Sequence, residues 1–168
     1  MKGFKKALVL CLISGICALL IALVNYVTSP IIEENKIKRE NESLALIYPD
    51  CSFTKLDNDN ETINSIWIVE EGGETTHYIY SISGKNAYGK VTVLFGINMD
   101  GTIQKVILTE NTESYSSKLD SHVEENYSTP VSDIDSIDLA CGATFGAKLV
   151  KELVEIGLND FYERLGQW

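Results

Sequence analysis

Residues 7 to 27, "ALVLCLISGICALLIALVNYV", carry no charge, whereas every later apolar run is short and interrupted by polar positions. As a helix this stretch would be about 31 Å long, close to the hydrocarbon thickness of a bilayer. A core helix would show a polar stripe, and none is visible, so the pattern predicts a membrane-spanning helix. Pro30 then marks where that helix gives way to a second helical segment. Residues 30–47, "PIIEENKIKRENESLALI", mix helix formers with Ile31, Ile32, Ile37, Leu44, Ala45 and Ile47, and predict a stalk helix that Pro49 ends. Beyond it the period changes. "SIWIVEE" and "THYIYSI" flank Gly72-Gly73, and "GKVTVLFGI" and "TIQKVILTE" flank "NMDG", where Gly101 can take positive φ. These are two hairpins, four consecutive antiparallel strands, with Trp67 in the core. The pattern on the returning strand, Ile103 then Val106 to Leu108, is less regular. Residues 110–137 read as a long polar loop. Phe145, Leu149, Leu153 and Ile156 recur at helical spacing, Gly157 is a stop, and "LNDFYERLGQW" reads as a short terminal helix. The expected fold is α+β, an antiparallel sheet covered by helices and preceded by a single N-terminal transmembrane helix. Its segments are a basic start and transmembrane helix over 1–27, a stalk over 28–49 and an extracytoplasmic domain over 50–168.

Charge adds an orientation. Lys2, Lys5 and Lys6 precede the apolar run, and the positive-inside rule then holds the N-terminus in the cytoplasm, with the remainder of the chain on the far side. The apolar stretch is longer than a signal peptide's core and no small-x-small cleavage site follows, so a retained single-pass anchor is expected in the cell membrane. Ser14, Ala18 and Ala22 place small residues at four-residue intervals, the spacing that lets a second membrane helix approach. All 24 acidic residues but only 11 of the 14 basic ones lie beyond residue 27, an excess of 13 negative charges. That sign excludes nucleic acid as a partner. Cys51 and Cys141 could pair in an oxidising compartment, but two cysteines define no disulfide framework. No CxxC or His/Cys cluster points to a metal. No nucleophile–base pair or spaced carboxylate dyad marks a catalytic residue.

The stretch "DLACGATFGAKLVKEL", residues 138–153, sets a small-residue turn and one hydroxyl before an amphipathic run. Unpaired amides and the macrodipole make a helix start electropositive. A phosphate at Thr144 would be stabilised by both, with Gly142 and Ala143 allowing close backbone approach and Lys148 adding a cation one turn on. On the same residues alone the favoured reading of Thr144 is an N-cap with small neighbours for packing. His77 falls in a strand pattern and His122 in the acidic loop.

"DLACGAT", residues 138–144, resembles the flavinylation motif of the FMN-binding domain family: Asp, two residues, Ser or Thr, Gly, Ala, then Thr or Ser. Within that family the chain most resembles the G subunits of Rnf ion-translocating oxidoreductases and the related C subunits of sodium-pumping NADH:quinone oxidoreductases. "VNYVTSPIIEENK", after the basic start and apolar helix, is similar to the N-terminus of Rnf G subunits. "AYGKVTVLFGINMDGTIQKVILTENTES" is similar to the family's Tyr-Gly-Gly strand, hairpin and Glu-x-x-Glu-Thr loop. The resemblance implies that a separate flavin transferase moves FMN from FAD onto Thr144 as a phosphoester. Asp138, Gly142 and Ala143 match the motif, and Lys148 with Val150 matches the "(K/R)-x-V" that often follows. It implies covalent FMN as the cofactor and other membrane subunits of a redox complex as partners. The chain is then an electron-transfer subunit of an ion-translocating complex and not a stand-alone enzyme. Glu113, Ser114 and Tyr88 are the further cofactor-binding candidates, with Tyr115 and Phe145 beside the flavin ring.

Two departures mark the member as divergent. Cys141 stands where the motif has Ser or Thr, a residue of similar size but a poorer hydrogen-bond partner. The family's "ETPGLG" loop appears as "ESYSSK", residues 113–118, which keeps Glu113, lets Ser114 stand for the threonine and loses Pro, Leu and both glycines. These departures motivate an alternative: a membrane-anchored binding or scaffolding subunit that has lost its flavin.

Overall fold

The computed structural model describes residues 2–49, 51–58, 60, 62–71 and 74–166. By its contacts the chain divides into two compact units, Met1–Glu42 and Ser43–Trp168. The first is helical. One continuous helix, α1, runs Lys2–Ala45 and includes Pro30, so the break expected at that proline does not occur. Proline removes one donor from the ladder and crowds the carbonyl four residues back, here without ending the helix. Nearby, the Thr28 hydroxyl donates to the Val24 carbonyl at 2.8 Å. Leu10–Ile31, mean hydropathy 2.4, is long and apolar enough to cross a membrane once. Its leucines, isoleucines and valines are exposed all round, as a lipid-facing helix requires.

The second unit is built on a five-stranded antiparallel meander, order β1-β2-β3-β4-β5. The strands are β1 (Ser52–Leu56), β2 (Ile63–Glu71), β3 (Glu74–Lys85), β4 (Lys90–Asn98) and β5 (Ile103–Asn111). The four expected strands are present, and β1 is a fifth that the sequence did not reveal: only Phe53 and Leu56 of "SFTKL" are apolar. The β2–β3 turn at Gly72-Gly73 lies outside the described residues. The β4–β5 turn closes as expected, with Gly101 at φ +84° and its N–H donating to the Asn98 carbonyl at 2.9 Å. The irregular pattern on β5 has a cause. Opposite β4, register shifts fall between Thr92 and Val93 and again between Gly96 and Ile97. Each inserts a residue into β5, so Ile103, Val106 and Leu108 all reach one face.

The stretch read as a polar loop contains a helix, α2 (Ser116–Tyr127), and a 3-10 turn at Ile134–Ser136. The stripe Leu119, His122, Val123 and Tyr127 buries α2, although polar residues outnumber apolar ones along it. The last helix, α3, is unbroken from Thr144 to Leu165. Gly157 does not stop it. That glycine is a contact point instead: a Cβ there would overlap the Phe95 ring on β4. The predicted separate terminal helix is the second half of α3.

Both faces of the sheet are apolar. On one, α2 and α3 cover Ile66, Tyr78, Tyr80, Ile82, Val91, Val93, Phe95 and Ile97. A Tyr80 hydroxyl–Asp160 bond of 2.9 Å ties β3 to α3, and Arg164, one turn along α3, holds the same carboxylate at 2.6 Å. On the other face Trp67, Val69, Ile79 and Leu94 meet Leu44, Ile47 and Tyr48, so the chain that follows Glu42 is part of this core. Tyr48 stacks on His77 with centroids 4.4 Å apart and donates to Asn98 Oδ1 at 2.8 Å. Trp67 is core, as expected, with 5% exposure. Cys51 packs with this second cluster and Cys141 with the first, on opposite sides of the sheet, and both are free thiols. The pairing that the sequence left open does not occur, because the sheet stands between them.

Candidate functional site

The motif loop is shaped by its own backbone bonds. Asp138 Oδ1 accepts from the Ala140 N–H at 3.0 Å, and the Cys141 N–H donates to the Leu139 carbonyl at 3.0 Å. Asp138 therefore braces the loop, an Asx turn six residues ahead of the threonine. Gly142 adopts φ +76°, a conformation that costs an L-residue roughly 1–2 kcal/mol. Cys141 is half-buried against the main core, and Ala143 is buried at 5% exposure.

Ala143, and not Thr144, is the N-cap of α3. Thr144 is the first helical residue. Its side chain is exposed, and its hydroxyl makes no hydrogen bond to another described residue. The capping role that competed for this threonine is thereby removed. The helix buries Gly146, Ala147, Leu149 and Val150, which leaves Thr144, Phe145 and Lys148 on the outward side. Lys148 makes no ion pair among the described residues.

A second wall comes from the ends of β3, β4 and β5. Glu113, just beyond β5, is 6% exposed; one carboxylate oxygen accepts from Asn86 Nδ2. Its other oxygen lies 2.9 Å from where a side chain on Gly146 would begin, which brings it against the first turn of α3. Asn86 Oδ1 accepts from the N–H groups of Tyr88 and Gly89 at 2.7 and 3.1 Å and fixes the β3–β4 turn. Ser114 donates to the Tyr88 carbonyl through its N–H at 3.1 Å and its hydroxyl at 3.3 Å. The outcome is a pair of surface rings: Tyr88 and Phe145 stack with centroids 5.2 Å apart and planes 29° apart. They are 41% and 61% exposed, and Tyr115, next to Ser114 in the chain, is 54% exposed, so none of the three is core.

Glu113, Ser114 and Tyr88 thus meet at the start of α3, beside Phe145 and Thr144. Asn86 and Lys118 belong to the same constellation and were missed. Asn86 precedes the quoted "AYGK" by one residue, and its Asx turn was readable there. Lys118 was not readable, because only the folding of α2 carries it to Gly142: its amine is 3.1 Å from where a Gly142 Cβ would stand.

The class these features describe is an α+β domain that follows a single N-terminal helix long and apolar enough to anchor it in a membrane. Residues 2–47 match the family model of the RnfG N-terminal region. The chain is 27% identical over 126 residues to the G subunit of the Na(+)-translocating ferredoxin:NAD(+) oxidoreductase complex of Acetobacterium woodii, covering 66% of this chain and 61% of that protein. It is 23% identical over 111 residues to the G subunit of the proton-translocating ferredoxin:NAD(+) oxidoreductase complex of Clostridium ljungdahlii, covering 66% of this chain and 56% of that protein. The matched regions span less than two thirds of these relatives' own lengths. The family model and the relatives agree in what the chain is similar to, an RnfG-type subunit, over residues 2–47 and over 66% of its length.

Proposed function

We propose that this chain is a membrane-anchored flavoprotein subunit, with FMN esterified to Thr144, that passes electrons within an ion-translocating membrane redox complex. The observation that carries the reading is the Thr144 hydroxyl, exposed at the first position of α3 behind the positive-φ Gly142. No described base touches it, so its activation has to come from outside, which suits modification by a separate flavin transferase. When bound, the flavin supplies reversible electron uptake at its ring, while the protein supplies tethering and orientation. The Tyr88–Phe145 pair offers an apolar platform for that ring and leaves an edge open to a neighbouring subunit. Glu113, Ser114 and Asn86 hold Tyr88 in place, and Asp138 and Cys141 shape the loop that presents the hydroxyl. Lys148 stands one helical turn from the ester. Lys2, Lys5 and Lys6 put the N-terminus in the cytoplasm and the domain outside. The relatives' names give different ions, sodium and protons, so the proposal extends to coupled electron transfer and specifies neither.

The full-length chain produced together with a flavin transferase should gain the mass of one FMN and show SDS-resistant flavin fluorescence in a gel. Thr144→Val should abolish both. Cys141 favours a second reading, a flavin-free scaffolding subunit. A wild-type band that stays colourless beside a working transferase would select it and overturn the first.

A further inference from the structure

Lys118 occupies the last position of the 113–118 segment, where the resembled loop has glycine, and its side chain lies along the motif backbone. The amine and Cδ are 3.1 and 3.2 Å from the place a Gly142 Cβ would fill, so the glycine leaves the groove that the lysine occupies. The residue is held from its own side: its N–H donates to the Tyr115 carbonyl at 3.1 Å, and its amine sits 5.7 Å from the centre of the Tyr115 ring. Three other cations of this domain are spent on carboxylates, Lys90 on Glu110, Lys151 on Asp135 and Arg164 on Asp160, whereas Lys148, also near the motif, is left unpaired among the described residues, like Lys118. Lys118 has no ion pair among the described residues, in a chain of net charge −10. Thr144 is two residues from Gly142, at most about 7 Å along the backbone. A phosphodiester on its oxygen would bring one negative charge into reach of the unpaired amine.

We infer that Lys118 is the positioning residue for the phosphodiester on Thr144, holding its charge and aligning the incoming phosphorus over the motif loop. The inference rests on the flavoprotein reading. Attachment forms a bond from Thr144 Oγ1 to the FMN phosphorus of FAD and breaks the pyrophosphate bond on its AMP side. AMP leaves with that bond's electron pair, and the hydroxyl proton passes to the transferase or water; nothing is oxidised or reduced. Lys118 contributes by neutralising charge at phosphorus as the new bond forms, a task that arginine can share.

The test uses the full-length chain with its transferase and FAD, followed by intact mass against time, for wild type, Lys118→Met and Lys118→Arg. The methionine variant should be modified about two- to fivefold more slowly, the scale of one exposed charge contact, and the arginine variant should recover. The phosphorus-31 resonance of the attached diester should move in the methionine variant, while the thermal melt of the unmodified protein stays unchanged. A wild type that is modified, with Lys118→Met equally fast, overturns the role of Lys118 and leaves the flavoprotein reading intact. Slower attachment with an unmoved phosphorus resonance also overturns it, since Lys118 would then serve the transferase. A wild type that is never modified removes the flavoprotein reading and this inference with it.

Discussion

His122 on α2 is 4% exposed, with Nδ1 3.2 Å from Asn126 Nδ2, and its ring meets Tyr127 edge-on at 6.5 Å. Burial lowers its pKa, and this outweighs the opposing charges of Glu125 and Asp138. Tyr127, whose hydroxyl burial pushes up to about 12, stays neutral beside it. The folded domain therefore holds a neutral imidazole, whereas the unfolded chain's histidine titrates near about 6.5. Below that pH the unfolded state binds more protons, so stability is full above about 6.5 and declines as pH falls toward the lowered folded value. Urea unfolding at pH 7.5 and pH 5 should show this loss, and His122→Gln should make it smaller; parallel losses in the two proteins would contradict the account. Asp138 is also the motif's acid, so the charge of the motif loop is felt at this ring on α2. Such couplings mark the limit of sequence reading at the residue scale. Thr144 and Gly142 are neighbours in the chain and were legible, whereas Lys118 is brought to Gly142 only by the packing of α2.

At the scale of elements, α3 shows how one residue type carries opposite meanings. Glycine inside a helix costs about 1 kcal/mol relative to alanine, so Gly157 read as a stop. Replacing it by alanine would recover that amount, yet the added methyl would overlap Phe95, which is fully buried on β4. Overpacking of this kind costs about 1–3 kcal/mol, and a central strand gives little room to relax. Gly157→Ala should therefore be destabilising by up to about 2 kcal/mol net in denaturant unfolding; a stabilised variant would mean that α3 shifts freely on the sheet. The helix was legible from its stripe, but its length was not, because the reason for the glycine lies on another element. The loss of α2 from the sequence reading has the same origin. Its buried face uses His122 and Tyr127 alongside Leu119 and Val123, and two of those four are residues that patterning counts as polar or ambiguous. β5 was legible as a strand, but its bulges disturbed the alternation that would have assigned its faces.

On the scale of the whole molecule, the sheet needs cover on both faces, and the helical layer supplies only one. The second face takes its cover from chain that precedes β1: Leu44, Ile47 and Tyr48 are 1%, 5% and 7% exposed against Trp67, Val69, Ile79 and Leu94. Burying three such side chains contributes about 1.5–3 kcal/mol each, an upper estimate, since the unfolded chain already hides some of that surface. The sum is comparable with the whole stability of a domain, about 5–15 kcal/mol. A stalk that merely spaced the domain from a membrane could be trimmed without effect. These residues predict otherwise: a fragment of residues 43–168 should unfold in one cooperative urea transition, while a fragment of residues 50–168 should lose cooperativity or aggregate through the uncovered Trp67 face. Equal stability of the two would show that the second core is dispensable. If the shorter fragment fails as expected, the chain after the membrane-length helix is structural to the domain, and any flavin measured on a soluble fragment has to be measured on one that keeps Leu44, Ile47 and Tyr48.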